Sequence, residues 1–159
     1  MEKLKIMMLS DIDRPEKIEG GDFIDLRCAE DTYMTHGEYK IIPLGVAMQL
    51  PRGYEGLVVP RSSTFSKYGI ILANSVGIID ESYCGEKDQW GFPALCLAKY
   101  SPCTEVDRRL DLPTDHTFIP KGARICQFRI LYHMQDLEIE YVDHLDGNVR
   151  GGFGSTGVM

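Results

Sequence analysis

The chain has 159 residues, 43% hydrophobic and 26% charged, which suits one domain able to bury roughly 70% of the surface its unfolded form exposes. No apolar run approaches the ~20 residues a spanning helix needs, and "MEKLKIMMLSDIDRPEK" has no small-residue cleavage pattern, so neither membrane span nor secretory leader is expected. A net charge of −7 repels nucleic acid unless the cations are gathered in one place; the reading is a cytoplasmic protein (host cytoplasm if the chain is viral) with no nucleic-acid or membrane partner.

Along the chain, most segments read at period two. "YKIIPLGVAM", "EGLVVP", "KYGIILAN" and "GFPALCLAKY" are short β-rich runs bounded by Gly or Pro. Pro51-Arg52-Gly53 and Pro120-Lys121-Gly122 have the Pro-x-Gly chemistry of chain reversals. One short helix is expected from Ser62 to Tyr68, with Ser62 or Ser63 as cap, Phe65 and Tyr68 on its buried side, and Gly69 at its end. Ile70–Ala73, a turn near Asn74–Gly77 and a strand toward Asp80 read as a β-hairpin. Residues 101–117, polar and bracketed by prolines, read as a long excursion, plainly a solvated loop, with a protein-docking surface or a contact between subunits as the functional hypothesis for it. In "ARICQFRILY", Cys126, Phe128 and Ile130 share one face and Gln127 and Arg129 the other. In "DLEIEYV", Leu137, Ile139 and Tyr141 alternate with glutamates as a half-buried strand. No long helical period appears, so the class is all-β, a sandwich or barrel.

Five cysteines, Cys28, Cys84, Cys96, Cys103 and Cys126, are odd in number and never spaced C-x-x-C. Buried free thiols in a reducing compartment are expected rather than a disulfide or zinc framework. The four histidines are equally scattered.

Chemistry concentrates in "PRSSTFSKYGIILANSVGIIDESYCGE". Arg61, Ser62 and Ser63 stand at a helix start, where free amides favour an anion, and Lys67 lies one turn on. A capped surface helix is the plainer reading of the same residues. Asp80 follows two isoleucines at the end of an apolar strand, as either a general base for water or a turn former. "GGFGSTG", with only Val158 and Met159 beyond it, by itself reads as a frayed terminus.

"GGDFIDLRCAED", "PRSSTFSKYGI", "NSVGIIDESYCGE", "KGARICQF" and "GGFGSTG", in this order, resemble the five motifs of the trimeric deoxyuridine triphosphatases (dUTPases), from about Gly21 to Gly157. The resemblance implies a jelly-roll-like all-β fold in a homotrimer, with active sites built between subunits. It implies a β domain over residues 1–146 and a Gly-rich arm over 147–159 that closes over the nucleotide. The implied reaction is dUTP plus water to dUMP plus pyrophosphate, assisted by Mg2+. By the same resemblance, Asp80 activates the water that attacks the α-phosphorus, and Asn74 with the backbone of Ile78 and Ile79 reads the uracil edge. Tyr83 packs under the deoxyribose, while Arg61, Ser62, Ser63, Gln127, Arg124 and Arg150 hold the phosphates. Asp25 organises the metal through water, and Phe153 stacks on the base. Arg150 stands two residues nearer this phenylalanine than the family's usual spacing, and Cys126 replaces a usual alanine. No role is assigned to Trp90 beyond packing or an interface.

Two other functions fit the scaffold. A dCTP deaminase needs an acid–base carboxylate near the pyrimidine C4, on the strand after the Asn74–Asp80 run; "FPALCLAKY" supplies none. A non-catalytic nucleotide sensor would not need Asp80, Asn74 and Tyr83 together.

Overall fold

A computed structural model describes residues 2–98 and 115–149. Among these residues, ten strands and one short helix succeed one another as β1 (Lys5–Met8), β2 (Ile24–Arg27), β3 (Thr32–Thr35), β4 (Tyr39–Gln49), β5 (Tyr54–Pro60), α1 (Thr64–Tyr68), β6 (Ile70–Leu72), β7 (Gly77–Ile79), β8 (Gln89–Cys96), β9 (His116–Ile119) and β10 (Arg124–Tyr132). They form one sheet in the order β1-β4-β8-β6, a second in the order β2-β10-β5-β7, and a small β3–β9 pair. Every pairing is antiparallel. Among the described residues no strand pairs with its neighbour in sequence, because the chain passes from sheet to sheet at each connection. The fold is all-β, as the periodicity and turn chemistry predict, and jelly-roll-like, as the resemblance implies.

The core lies between the two larger sheets. Strand β8 alternates without a break, and Trp90, Phe92, Ala94 and Cys96 all point inward. From the second sheet Leu26, Val58, Cys126 and Phe128 meet them. The rings of Trp90 and Phe128 join the layers edge to face, with centroids 5.3 Å apart, a favoured arrangement for aromatic quadrupoles. Two register shifts break the period-two rule. One, between Pro43 and Ala47, buries successive residues of β4 and absorbs a proline inside a strand. The other, between Arg124 and Cys126, buries Ile125 beside Cys126.

Both Pro-x-Gly turns form, with Gly53 and Gly122 in the left-handed region at φ 82° and 83°, where a side chain would be strained. Each joins strands of different sheets. The predicted hairpin is corrected in the same way: β6 pairs with β8 and β7 pairs with β5. Three-residue strands gain more from longer neighbours than from each other, so Ala73–Val76 is a corner between sheets. Its Ala73 N–H donates to the Pro93 carbonyl at 2.8 Å.

The helix begins at Thr64, with Gly69 ending it at φ 61°. Its buried side is Thr64, whose hydroxyl donates to the Ile125 carbonyl at 2.6 Å, and Tyr68; Phe65 faces out, 55% exposed. Of the expected 101–117 excursion, 101–114 lies outside the described residues, whereas His116 and Thr117 are buried in β9. The expected strand "DLEIEYV" does not form: Leu137 and Ile139 are 68% and 75% exposed and Tyr141 93%. An alternating pattern becomes a strand only beside a free edge, and none within the described chain reaches it.

Cys28, Cys96 and Cys126 are buried as expected, Cys84 is exposed, and Cys103 lies outside the described residues. Burial first, then the nearby Asp25 and Cys28, push the Cys126 thiol well above its ordinary value. Burial likewise raises Cys28 and Cys96. A raised thiol stays protonated and unreactive. Native-state alkylation followed by peptide mapping is therefore expected to label Cys84 and to spare Cys126 until the protein is unfolded; early labelling of Cys126 would contradict this packing.

Candidate active site

The second sheet builds an anion patch. On β2 and β10, Asp25 and Gln127 are directly opposite, and Val59 of β5 is the next partner along. Directly opposite residues share a face of a sheet, and the buried partners Leu26 and Cys126 mark the other face as the core side. Asp25 and Gln127 therefore point outward. Arg61, directly after β5 and ahead of α1, reaches the same place. Arg61 Nε lies 2.8 Å from Asp25 Oδ1, and Arg124 donates to Asp25 Oδ2 at 3.1 Å. One carboxylate thus orients two guanidinium groups. Such forks match phosphate oxygens in geometry as well as in charge.

Ser62 is exposed and Ser63 half-buried at the start of the helix, and Ser63 forms no side-chain cap. The expected cap hydrogen bond is absent because Ser63 itself has helical backbone angles, φ −91° and ψ −3°. Its hydroxyl remains available to a ligand. Lys67 is exposed in the last turn.

The second group comes from the corner after β6. Asn74, Ile78, Ile79 and Tyr83 line one cavity of about 270 Å³, together with Trp90 and Gly91 of β8. Gly77 allows close packing here, since a Cβ would lie 3.1 Å from Val58 Cβ. The Tyr83 hydroxyl donates to the Gln89 carbonyl at 3.2 Å, and its N–H donates to the Asp80 carbonyl at 3.0 Å. Asp80 is therefore a turn residue through its backbone. Its exposed carboxylate has no hydrogen bond or ion pair among the described residues. The turn-former reading of Asp80 thus rests on its backbone carbonyl, and its carboxylate takes no part in the turn.

Within one chain the two groups line separate cavities. Asp25 and Arg124 border another, of about 410 Å³, with Arg14 and Arg27. Arg150 and Phe153 lie outside the described residues. Sequence reasoning missed Trp90 as a cavity wall and Gln89 as the anchor of Tyr83. Strict alternation in "QWGFPALC" places Trp90 on the buried face, and that signal was available.

No group of three metal-ligating side chains occurs among the described residues, so the donor set does not enclose an ion. Asp25 uses one lone pair of each oxygen on an arginine; a carboxylate has about four. A water-mediated contact to a hydrated divalent ion fits that arrangement, and a direct cage does not.

The all-β chain thus presents a guanidinium pair on one sheet face and, separately, a cavity lined by Asn74, Tyr83 and Trp90, groups of the kinds that suit a ligand with an anionic and a flat apolar part. Comparisons with known proteins are consistent with that class. The dUTPase family model matches residues 17–88. The chain is 47% identical over 156 residues to the SPbeta prophage-derived deoxyuridine 5'-triphosphate nucleotidohydrolase YosS of Bacillus subtilis (strain 168), covering 98% of each chain. It is 32% identical to the deoxyuridine 5'-triphosphate nucleotidohydrolase of Corynebacterium glutamicum, over 97% of this chain and 94% of that one. In fold it resembles a mutant dUTPase of Staphylococcus bacteriophage 80alpha with dUpNHpp, at TM-score 0.80 and 23% identity over 99% of this chain and 100% of that one. A mutant dUTPase from phage phi11 of S. aureus, described for coordination of a structural Mg(II) ion, matches at TM-score 0.71 and 21% identity, over 91% and 99%. The chain belongs to the dUTPase family.

Proposed function

We propose that this protein hydrolyses dUTP to dUMP and pyrophosphate, as a homotrimer whose active sites are completed between subunits. The observation that carries this reading is the run Asn74–Tyr83: Asn74, Ile78, Ile79 and Tyr83 line the cavity, and Asp80, next to Ile79 in the chain, has an exposed carboxylate with no hydrogen bond or ion pair among the described residues. Uracil enters the cavity, where Asn74 and the backbone of Ile78 and Ile79 pair with its edge. A site built to pair one polar edge leaves its own groups unpaired with the wrong base, which rejects cytosine. Tyr83, held by Gln89, lies against the deoxyribose and leaves no room for a 2′-hydroxyl.

Arg61, Arg124, Ser62, Ser63 and Gln127 hold the triphosphate, with Arg150 contributing from the arm. Asp25 keeps the two guanidinium groups aimed and accepts hydrogen bonds from the water shell of Mg2+. When bound, that ion neutralises charge on the phosphate oxygens. Asp80 takes a proton from water as its oxygen attacks the α-phosphorus, and pyrophosphate leaves.

Two features support a site shared between subunits. Asp25 and Arg124 border one cavity of the chain, and Asn74, Ile78, Ile79 and Tyr83 border another. The segment beyond Tyr132 also exposes Leu137, Ile139, Tyr141 and Leu145, with no strand partner among the described residues. Such a segment needs another surface to cover it. In this reading, residues 1–146 form the β domain, and the arm over 147–159 closes over a neighbour's nucleotide. Phe153 stacks on the base, a contact worth about 1–3 kcal/mol.

Incubation with dUTP, dCTP, dTTP and UTP separately, assayed for pyrophosphate and for ammonia, tests the proposal. Pyrophosphate from dUTP alone is expected. Ammonia from dCTP, or no pyrophosphate from dUTP, would overturn it.

A further inference from the structure

Glu81 directly follows Asp80, yet it belongs neither to the cavity lining nor to the arginine cluster. Its Oε2 accepts a hydrogen bond from the Gly53 N–H at 2.7 Å. The Gly53 carbonyl in turn accepts from the His133 N–H at 3.1 Å. The turn glycine therefore has one backbone group committed to the residue beside Asp80. Its other group is committed to the first residue beyond β10, where the chain sets out toward its C-terminal arm. One position in, Tyr54 and Tyr132 are register partners and stack with centroids 4.5 Å apart, closing the same junction.

Asp80 needs such a tie. Strand β7 has three residues, and its last ladder partner is Ile79, opposite Gly56. Asp80 lies past the ladder, and the hydrogen bond from Tyr83 fixes only its backbone carbonyl. A carboxylate accepting from an amide is stronger than a neutral pair. We propose that Glu81 is a positioning residue, clamping the end of β7 to the Pro51–Gly53 turn so that the neighbouring Asp80 carboxylate meets its water. The clamp also joins the base to the end of β10 through Gly53 and His133. This rests on the reading of Asp80 as the general base.

The test compares wild-type protein with Glu81→Ala and Glu81→Gln in steady-state dUTP hydrolysis, and in amide hydrogen exchange without nucleotide. Glutamine keeps an oxygen acceptor at the same reach. Misplacing a catalytic group by an ångström costs up to about a hundredfold, so Glu81→Ala is expected to lose about tenfold or more in kcat with KM within about twofold. Glu81→Gln is expected to recover most of that rate. Exchange at Gly53 and across Asp80–Tyr83 should accelerate in Glu81→Ala only. Wild-type kcat in Glu81→Ala, a loss in KM alone, or equal impairment of both variants overturns the clamp. If wild-type protein releases no pyrophosphate from dUTP, the proposed function is at fault and the exchange data judge the clamp by themselves. Unchanged exchange in Glu81→Ala then rejects it, and accelerated exchange upholds it.

Discussion

Replacing Asp80 by asparagine is expected to slow pyrophosphate release from dUTP by about 10²- to 10⁴-fold, the usual worth of a positioned general base. Asparagine has nearly the shape of aspartate and can still orient a water, but it cannot take the proton. Nucleotide affinity, measured calorimetrically with a non-hydrolysable dUTP analogue, should stay within a few-fold, because the phosphates are held elsewhere. Thermal stability should also hold. The turn uses the Asp80 carbonyl, and the carboxylate has no partner to lose among the described residues. A variant with near wild-type turnover would remove Asp80 from the chemistry; a variant that fails to fold would show that the carboxylate has a structural partner.

Trp90→Ala is expected to have the largest effect on stability, about 3–5 kcal/mol for an aromatic removed from a packed core. Trp90 is 1% exposed, meets Phe128 across the two sheets, and presses so closely on β5 that a Cβ on Gly56 would lie 2.9 Å from its ring. Its removal opens the interior and the wall of the base cavity together, so KM for dUTP should rise as the urea midpoint falls. Trp90→Phe should cost much less. The Trp90 Nε1 is the buried side-chain polar atom without a partner among the described residues, and an orphaned donor carries a penalty of about 1–3 kcal/mol. Phenylalanine loses ring area but discharges that penalty. Urea unfolding of the three proteins gives the ordering, and equal losses for the two variants would contradict it.

The strands and turns were legible because period two and Pro-x-Gly chemistry are local. "ARICQFRILY" shows both the reach and the limit of this. Its alternation gives Cys126 and Phe128 inside and Gln127 outside, while the register shift that buries Ile125 as well depends on β2 and β5, distant in sequence. The corner at Asn74 was read as a hairpin because two short apolar runs flank a turn in either case; which sheet each run joins is decided by β5 and β8. "DLEIEYV" carries a strand pattern that no edge within the described residues satisfies. For the candidate site, the residue types came from motifs. The Asp25 bridge to Arg61 and Arg124 and the tie from Glu81 to Gly53 are products of tertiary folding, with no sequence spacing to announce them.

The alternation of strands between layers governs how the polypeptide can reach its native state. Strand β10 sits between β2 and β5 in the second sheet, so that layer lacks its middle until residues 124–132 have been synthesised. A nascent chain leaving the ribosome therefore has no half that can settle first. Loop closure over most of the sequence must precede the rewarding contacts, which makes acquisition of structure late and slow. Truncation ahead of Arg124 should leave an aggregation-prone fragment rather than a smaller stable domain.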